Sequence, residues 1–254
     1  MKRTQSQSVP LPEVVFSDHG LVRSLHLGSE WVQGAMWIDR PYQIQLEYVQ
    51  RMMAGLLFLQ LDGLADRHAM QLGLGAGALT KFCRKTLRMR TTAIEINPEV
   101  WRACRTWFKL PANDGRLQVL LADAGVEIKD ARWQGAVDLL QVDLYDEQAA
   151  CPVLDDESFY ADCRSLLTED GVMTINLFGR RASFVSSLER IASAFGRQAL
   201  WSFQPTREGN RVVLAQRRPW RPGPEELTGR AAQVQAVCRL PADKWLRLLR
   251  PAFE

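Results

Sequence analysis

The chain has 254 residues, enough for one full α/β domain and a small extra element, and its formal charge of +3 makes no demand for a nucleic-acid partner. Five cysteines, odd in number and without metal-ligand spacing, argue against a disulfide framework and point to a reducing cytoplasm. No apolar run approaches a membrane span, and His19, His26 and His68 lack zinc-type spacing, so neither a membrane nor a metal is expected.

Residues 1–40 read as a tail followed by a small antiparallel β-sheet, with strands at 14–16, 21–27 and 31–38. Gly20 and Gly28-Ser29 are the turn signals between them. Alternation puts Val22, Ser24 and His26 on one face, and Leu21, Arg23, Leu25 and Leu27 on the other. From Pro41 to about Gln60, Leu46, Val49, Met53, Leu56 and Leu57 recur at helical spacing and predict a helix.

Residues 41–218 form the main domain. After the opening helix, strands are predicted at 69–72, 92–96, 117–121, 137–142 and 172–177. Helices lie between and after them, at 78–87, 98–108, 124–130, 157–167 and 182–195. Two late strands, 198–203 and 211–216, make an antiparallel hairpin. The alternation predicts an α/β fold, a Rossmann-like doubly wound, mostly parallel sheet of seven strands.

Residues 219–254 form a basic tail interrupted by Pro219, Pro222 and Pro224, with helices predicted at 225–237 and 242–249. Arg221, Arg230, Arg239, Lys244, Arg247 and Arg250, with Arg217 and Arg218 just before it, make it basic. Its aromatic residues are sparse (Trp220, Trp245), so it reads as a solvated face rather than a nucleic-acid surface.

The chemistry-bearing residues fall at strand ends, which converge on one crevice in such sheets. Gly73-Leu74-Gly75-Ala76-Gly77 follows the first parallel strand, where glycines let the backbone approach a ligand. Glu95 ends the next strand, roughly twenty residues on, where an acid accepts from a ribose diol. Asp123-Ala124 and Asp143-Leu144-Tyr145-Asp146 end the two strands after that. Acids at successive strand ends cost energy unless they are used.

The runs 72–80, 93–100, 116–123, 137–146 and 159–172 resemble the polyamine aminopropyltransferases, the spermidine synthase family. The resemblance spans about residues 40–180 and extends to the small N-terminal sheet. The wider fold is that of the class I S-adenosylmethionine-dependent methyltransferases. The resemblance implies that Gly73, Gly75 and Gly77 line decarboxylated S-adenosylmethionine, that Glu95 holds its ribose, and that Asp123 with Ala124 meets its adenine. It implies that Asp143, matching the first acid of the Asp-Ser-Ser-Asp-Pro signature, orients and deprotonates a small-molecule amine. Asp146 and Glu47 would anchor that amine, beside Tyr145. It also implies a homodimer.

The chain departs from the family in three places. Ala76 stands where the family's turn carries an acid that pairs with the donor's free amine. Gln45-Leu46-Glu47 stands for Tyr-His-Glu. Leu144 and Tyr145 replace the signature's small hydroxyl residues, so Tyr145 reads either as a substrate contact or as packing. Aminopropyl transfer is the leading expectation. Methyl transfer from ordinary S-adenosylmethionine to a small acceptor follows from Ala76. A nucleoside-binding protein without catalysis is the third reading.

Overall fold

A computed structural model describes residues 11–145, 153–179 and 181–253. The small sheet is antiparallel in the order β1 (Val14–His19), β2 (Val22–Leu27), β3 (Gly34–Trp37). Leu25 is fully buried and packs with Met36, Leu74 and Ala76, so the expected Leu25 face is the inner one. Arg23, on the same face, is clamped by Asp18 and lies over the rings of Phe16 and Trp107.

The large sheet has eight strands in the order β11-β9-β10-β8-β7-β4-β5-β6. Its parallel centre comprises β4 (His68–Leu72), β5 (Arg90–Glu95), β6 (Leu117–Leu121), β7 (Val137–Val142) and β8 (Leu167–Leu177). The antiparallel flank comprises β9 (Leu200–Phe203), β10 (Arg211–Gln216) and β11 (Leu249–Pro251). Every residue of β4 is buried, as a central parallel strand covered on both faces requires. Its two polar side chains are satisfied: the His68 ring bonds the Ala136 carbonyl and Thr92 Oγ1. Gln71 donates to Gln141 on β7 and accepts from Thr80, while Gln141 donates to the Met52 carbonyl.

The helices are α1 (Glu47–Met52), α2 (Ala78–Lys81), α3 (Pro98–Thr106), α4 (Ala124–Glu127), α5 (Glu157–Leu166), α6 (Arg181–Phe195), α7 (Pro224–Cys238) and α8 (Ala242–Trp245). None is long and apolar enough to cross a membrane. Cys83, Cys104, Cys163 and Cys238 are buried free thiols.

Three elements differ from the sequence reading. The helix expected over 41–60 is shorter, because Ile44 still bridges Met36 of the small sheet and α1 starts only at Glu47. It tightens into a 3₁₀ turn at Met53–Leu57, where a β-carbon on Gly55 would lie 2.6 Å from Leu139. The helix expected over 78–87 is α2 followed by a π-turn, Phe82–Thr86.

The third difference is the eighth strand. Seven were expected, and the tail adds β11 where a helix over 242–249 was predicted. β11 pairs with β9 and covers an edge that would otherwise offer unpaired backbone groups. Of the tail's cations, Arg221, Arg239, Lys244, Arg247 and Arg250 are exposed, whereas Arg230 is used in packing. Arg230 lies over Trp220, 4.4 Å from the ring centre, and donates to the carbonyls of Leu57 and Leu59. α7 and α8 bury Ala231, Val234 and Trp245 against Trp201 and Phe203 of β9.

Candidate active site

The carboxyl ends of β4, β5, β6 and β7 lie side by side along one edge of the parallel sheet, where such sheets form their crevice, and the glycine turn follows β4. Gly73 has φ +90°, and a β-carbon there would lie 2.3 Å from the Asp143 carbonyl oxygen. Gly75 has φ +50°, and its β-carbon would lie 2.9 Å from the Gln33 carbonyl oxygen. Only glycine fits at both points. Gly77 caps α2 in the left-handed region.

Glu95 is buried and laces this turn to its own strand. Its two oxygens accept from the Leu74 N–H at 3.0 Å and from the Asn97 N–H at 2.8 Å. Burial raises its pKa, and the backbone donors pull the other way. With about four acceptor sites, the carboxylate keeps capacity for a further donor. Asp123 is exposed and caps α4 through the Gly125 N–H at 2.8 Å, with Ala124 buried behind it. Beside these acids Ile96, Leu121 and Val126 are 55%, 50% and 71% exposed. Apolar surface at strand ends is what the flat face of a base would cover. The sequence reading missed these three residues, although Ile96 directly follows Glu95.

The second half of the crevice is built around Asp143, at the end of β7. Its backbone N–H donates to the Leu72 carbonyl at 3.0 Å, which fixes it beside the glycine turn. Its carboxylate accepts from Asn176 Nδ2 at 3.0 Å and from the Tyr48 hydroxyl at 3.2 Å. Burial pushes the Asp143 pKa up to about 6, against the pull of these two bonds. Burial and the Asp143 charge together push the Tyr48 phenol far above its ordinary range, so it stays a proton donor. Asn176 Oδ1, on the amide that holds this carboxylate, is buried without a hydrogen-bond partner among the described residues. Buried orphan acceptors are costly, and an ammonium is the kind of donor that would satisfy them.

Tyr48 and Asn176 were not singled out in the sequence. Tyr48 directly follows Glu47, which was. Glu47 itself is half exposed and pairs with Arg51 at 2.5 Å, and Arg51 also donates to the Gln204 carbonyl. The Tyr145 hydroxyl donates to the Asn176 carbonyl at 2.9 Å and accepts from the Phe178 N–H at 2.6 Å. It thus ties the end of β7 to the end of β8. Asp146 lies outside the described residues. Ala76 is buried among Leu25, Met36 and Leu74, and a β-carbon on Gly34 would lie 2.8 Å from its own. The small sheet therefore closes over this point of the turn. Among the described residues, no group of three His, Cys, Asp or Glu is placed to hold a metal ion.

No protein-family model matches the chain. Individual proteins do. The human methyltransferase-like protein 13, solved in complex with SAH, superposes with a TM-score of 0.69 at 25% identity, over 77% of this chain and 93% of that one. A probable spermidine synthase from Corynebacterium glutamicum shares the fold, with a TM-score of 0.74 at 15% identity over 94% of this chain and 93% of that one. In sequence, the polyamine aminopropyltransferase of Neisseria meningitidis serogroup A is 34% identical over 215 residues, which is 84% of this chain and 80% of the relative. At that identity and over that length, the chain belongs to the polyamine aminopropyltransferase family.

Proposed function

We propose that the protein binds decarboxylated S-adenosylmethionine and transfers its aminopropyl group to an amine, with Asp143 as general base. The observation that carries this reading is the Asp143 carboxylate itself, held by Tyr48 and Asn176 beside the glycine turn, with its pKa near 6. When bound, the donor supplies a sulfonium whose neighbouring carbon is open to attack, with methylthioadenosine as the leaving group.

The chain's residues divide the work. The turn from Gly73 to Gly77 admits the nucleoside close to backbone. Glu95 accepts from the ribose hydroxyls, Asp123 accepts from the exocyclic amine of adenine, and Ala124 with Ile96 lies against the ring. Asp143 attracts the acceptor's ammonium and takes its proton, because a protonated amine has no lone pair to attack with. Tyr48 and Asn176 keep that carboxylate in one orientation, which supplies much of the acceleration available from alignment. The orphan oxygen of Asn176 offers a further acceptor to the amine.

A second reading, methyl transfer from ordinary S-adenosylmethionine, is favoured by Ala76. The turn holds no carboxylate at that position, so nothing there selects the decarboxylated donor. The test is incubation of the purified protein with each donor and a panel of amines, with chromatography of the nucleoside product. Methylthioadenosine is expected, and Asp143→Asn should abolish it. S-adenosylhomocysteine in its place would establish the second reading. Neither product would leave a nucleoside-binding protein without catalysis.

A further inference from the structure

β7 stops pairing with β8 at Val142, which lies opposite Ile175. Continued in register, Leu144 would lie opposite Leu177. A residue in that place on a parallel strand donates its N–H to the carbonyl one position before its partner. It accepts from the N–H one position after. The Leu144 carbonyl goes elsewhere, to the Val153 N–H at 3.2 Å. The Tyr145 hydroxyl makes the two missing bonds instead. It donates to the Asn176 carbonyl at 2.9 Å and accepts from the Phe178 N–H at 2.6 Å, the two groups that flank Leu177. One side chain thus supplies the rung that the backbone omits.

This rung holds the residue that holds the base. Asn176 Nδ2 donates to Asp143 Oδ1 at 3.0 Å, across the gap where the ladder has ended. On its far side Asn176 is paired with Val212 of β10, and on the β7 side its backbone is held by Tyr145. Asp143 itself is anchored to β4, through its N–H and the Leu72 carbonyl, so its backbone does not depend on β8. The aim of the amide at the carboxylate does. Around Asp143 the titratable partner is Tyr48 of α1; Asn176 of β8 is neutral, Gly73 offers only backbone, and Glu47 is turned to Arg51.

We infer that Tyr145 is a positioning residue for the base: its hydroxyl replaces a backbone rung between β7 and β8 and so keeps the Asn176 amide aimed at the Asp143 carboxylate. The inference rests on the reading of Asp143 as the base of aminopropyl transfer, and it gives the phenol a task other than substrate contact.

Tyr145→Phe tests it. Tyr145 is partly buried and phenylalanine fills the place of its ring, so the variant loses the two bonds and keeps the packing. An NMR titration of the Asp143 carboxyl carbon, assigned with Asp143→Asn, needs no turnover. The Asn176 bond lowers the Asp143 pKa, and its loosening should raise the titration midpoint by about half a unit or more. With the decarboxylated donor, kcat/KM at neutral pH should fall about tenfold through lost alignment. Methylthioadenosine affinity should stay within about twofold, because the glycine turn is untouched.

A double-mutant cycle separates positioning from plain support. In Asn176→Ala the amide is gone while the rung to the backbone remains, so adding Tyr145→Phe should change neither midpoint nor rate further. A tyrosine that only held the strands together would cost as much in that background as in the parent. Such additivity, or an unmoved midpoint in Tyr145→Phe, overturns the inference. A parent chain that turns over no amine, yet shows the midpoint shift, would sink aminopropyl transfer and leave the clamp standing. Turnover with an unmoved midpoint would do the reverse.

Discussion

A β-carbon on Gly73 would lie 2.3 Å from the carbonyl oxygen of Asp143, so the glycine turn and the proposed base meet backbone to backbone. With φ at +90°, no side chain is tolerated there. Gly73→Ala must push β4 and β7 apart at their ends. It should cost about 2–4 kcal/mol in urea unfolding, from left-handed strain and overpacking combined. The same displacement moves Asp143 away from Tyr48 and Asn176, so turnover should fall further than nucleoside affinity does.

Asp143 sets opposite pH dependences for stability and for rate. Its folded pKa is raised from 3.8 to about 6, so folding favours the protonated form. That contribution is full below 3.8 and is lost as pH rises through about 6. Catalysis needs the ionised base, so kcat/KM should climb with pH through about 6 and then level off. Asp143→Asn cannot ionise. It should gain on the order of 1 kcal/mol over the parent at pH 8, gain nothing at pH 3, and lose at least about a hundredfold in turnover. Tyr48→Phe removes a donor that stabilises the carboxylate, so it should move the rising limb of the rate profile to higher pH.

Glu95 bonds the glycine turn at Leu74 and the start of α3 at Asn97. Glu95→Ala strands both buried N–H groups and should cost about 2–4 kcal/mol in denaturant unfolding. Glu95→Gln keeps one acceptor and the shape. Its stability should change less, while methylthioadenosine affinity, read by calorimetry, should weaken about tenfold through loss of the charged acceptor for the ribose.

The central sheet was legible because β4, β5 and β7 are short, largely buried runs that end at a glycine or an acid, where parallel strands deliver a site. The opening helix was less legible. Met52 to Leu59 is buried all round, and a segment with no exposed face has no period to read. β11 is three residues long and forms only because β9 presents an edge to it. Tyr48 and Asn176 were missed for the same kind of reason. Their importance lies in meeting Asp143 across 95 and 33 residues of chain, and no local pattern marks such a meeting. Glu47 was marked by its place in a motif, and in the fold it turns to Arg51.

β11 and α8 close the β9 edge of the large sheet. Truncation after Leu248 should leave β9 open and lose the buried side chain of Leu249. Burial of a leucine is worth roughly 1.5–3 kcal/mol, so the melting temperature should drop by several degrees. Light scattering should also show concentration-dependent association through the exposed strand, whereas Arg250→Ala, exposed on the same strand, should show neither effect.

Ala76 stands where the family resemblance implies an acid, and the packing around it decides whether the turn could take one. Its β-carbon is packed under Gly34, so Ala76→Asp must either bury a carboxylate or lift the small sheet from the turn. Burial of an unpaired charge is the costlier course, and the variant should lose at least about 3 kcal/mol in urea unfolding. Because the new carboxylate has no room in the closed turn, it should confer no preference for the decarboxylated donor in a thermal-shift titration with both donors side by side. Pairing it with a deletion of residues 1–39 removes the roof. In that background the aspartate should be tolerated, and a shift toward the decarboxylated donor should appear if the residue reaches the bound arm. Full stability of Ala76→Asp in the intact chain would show instead that the small sheet moves freely over the turn.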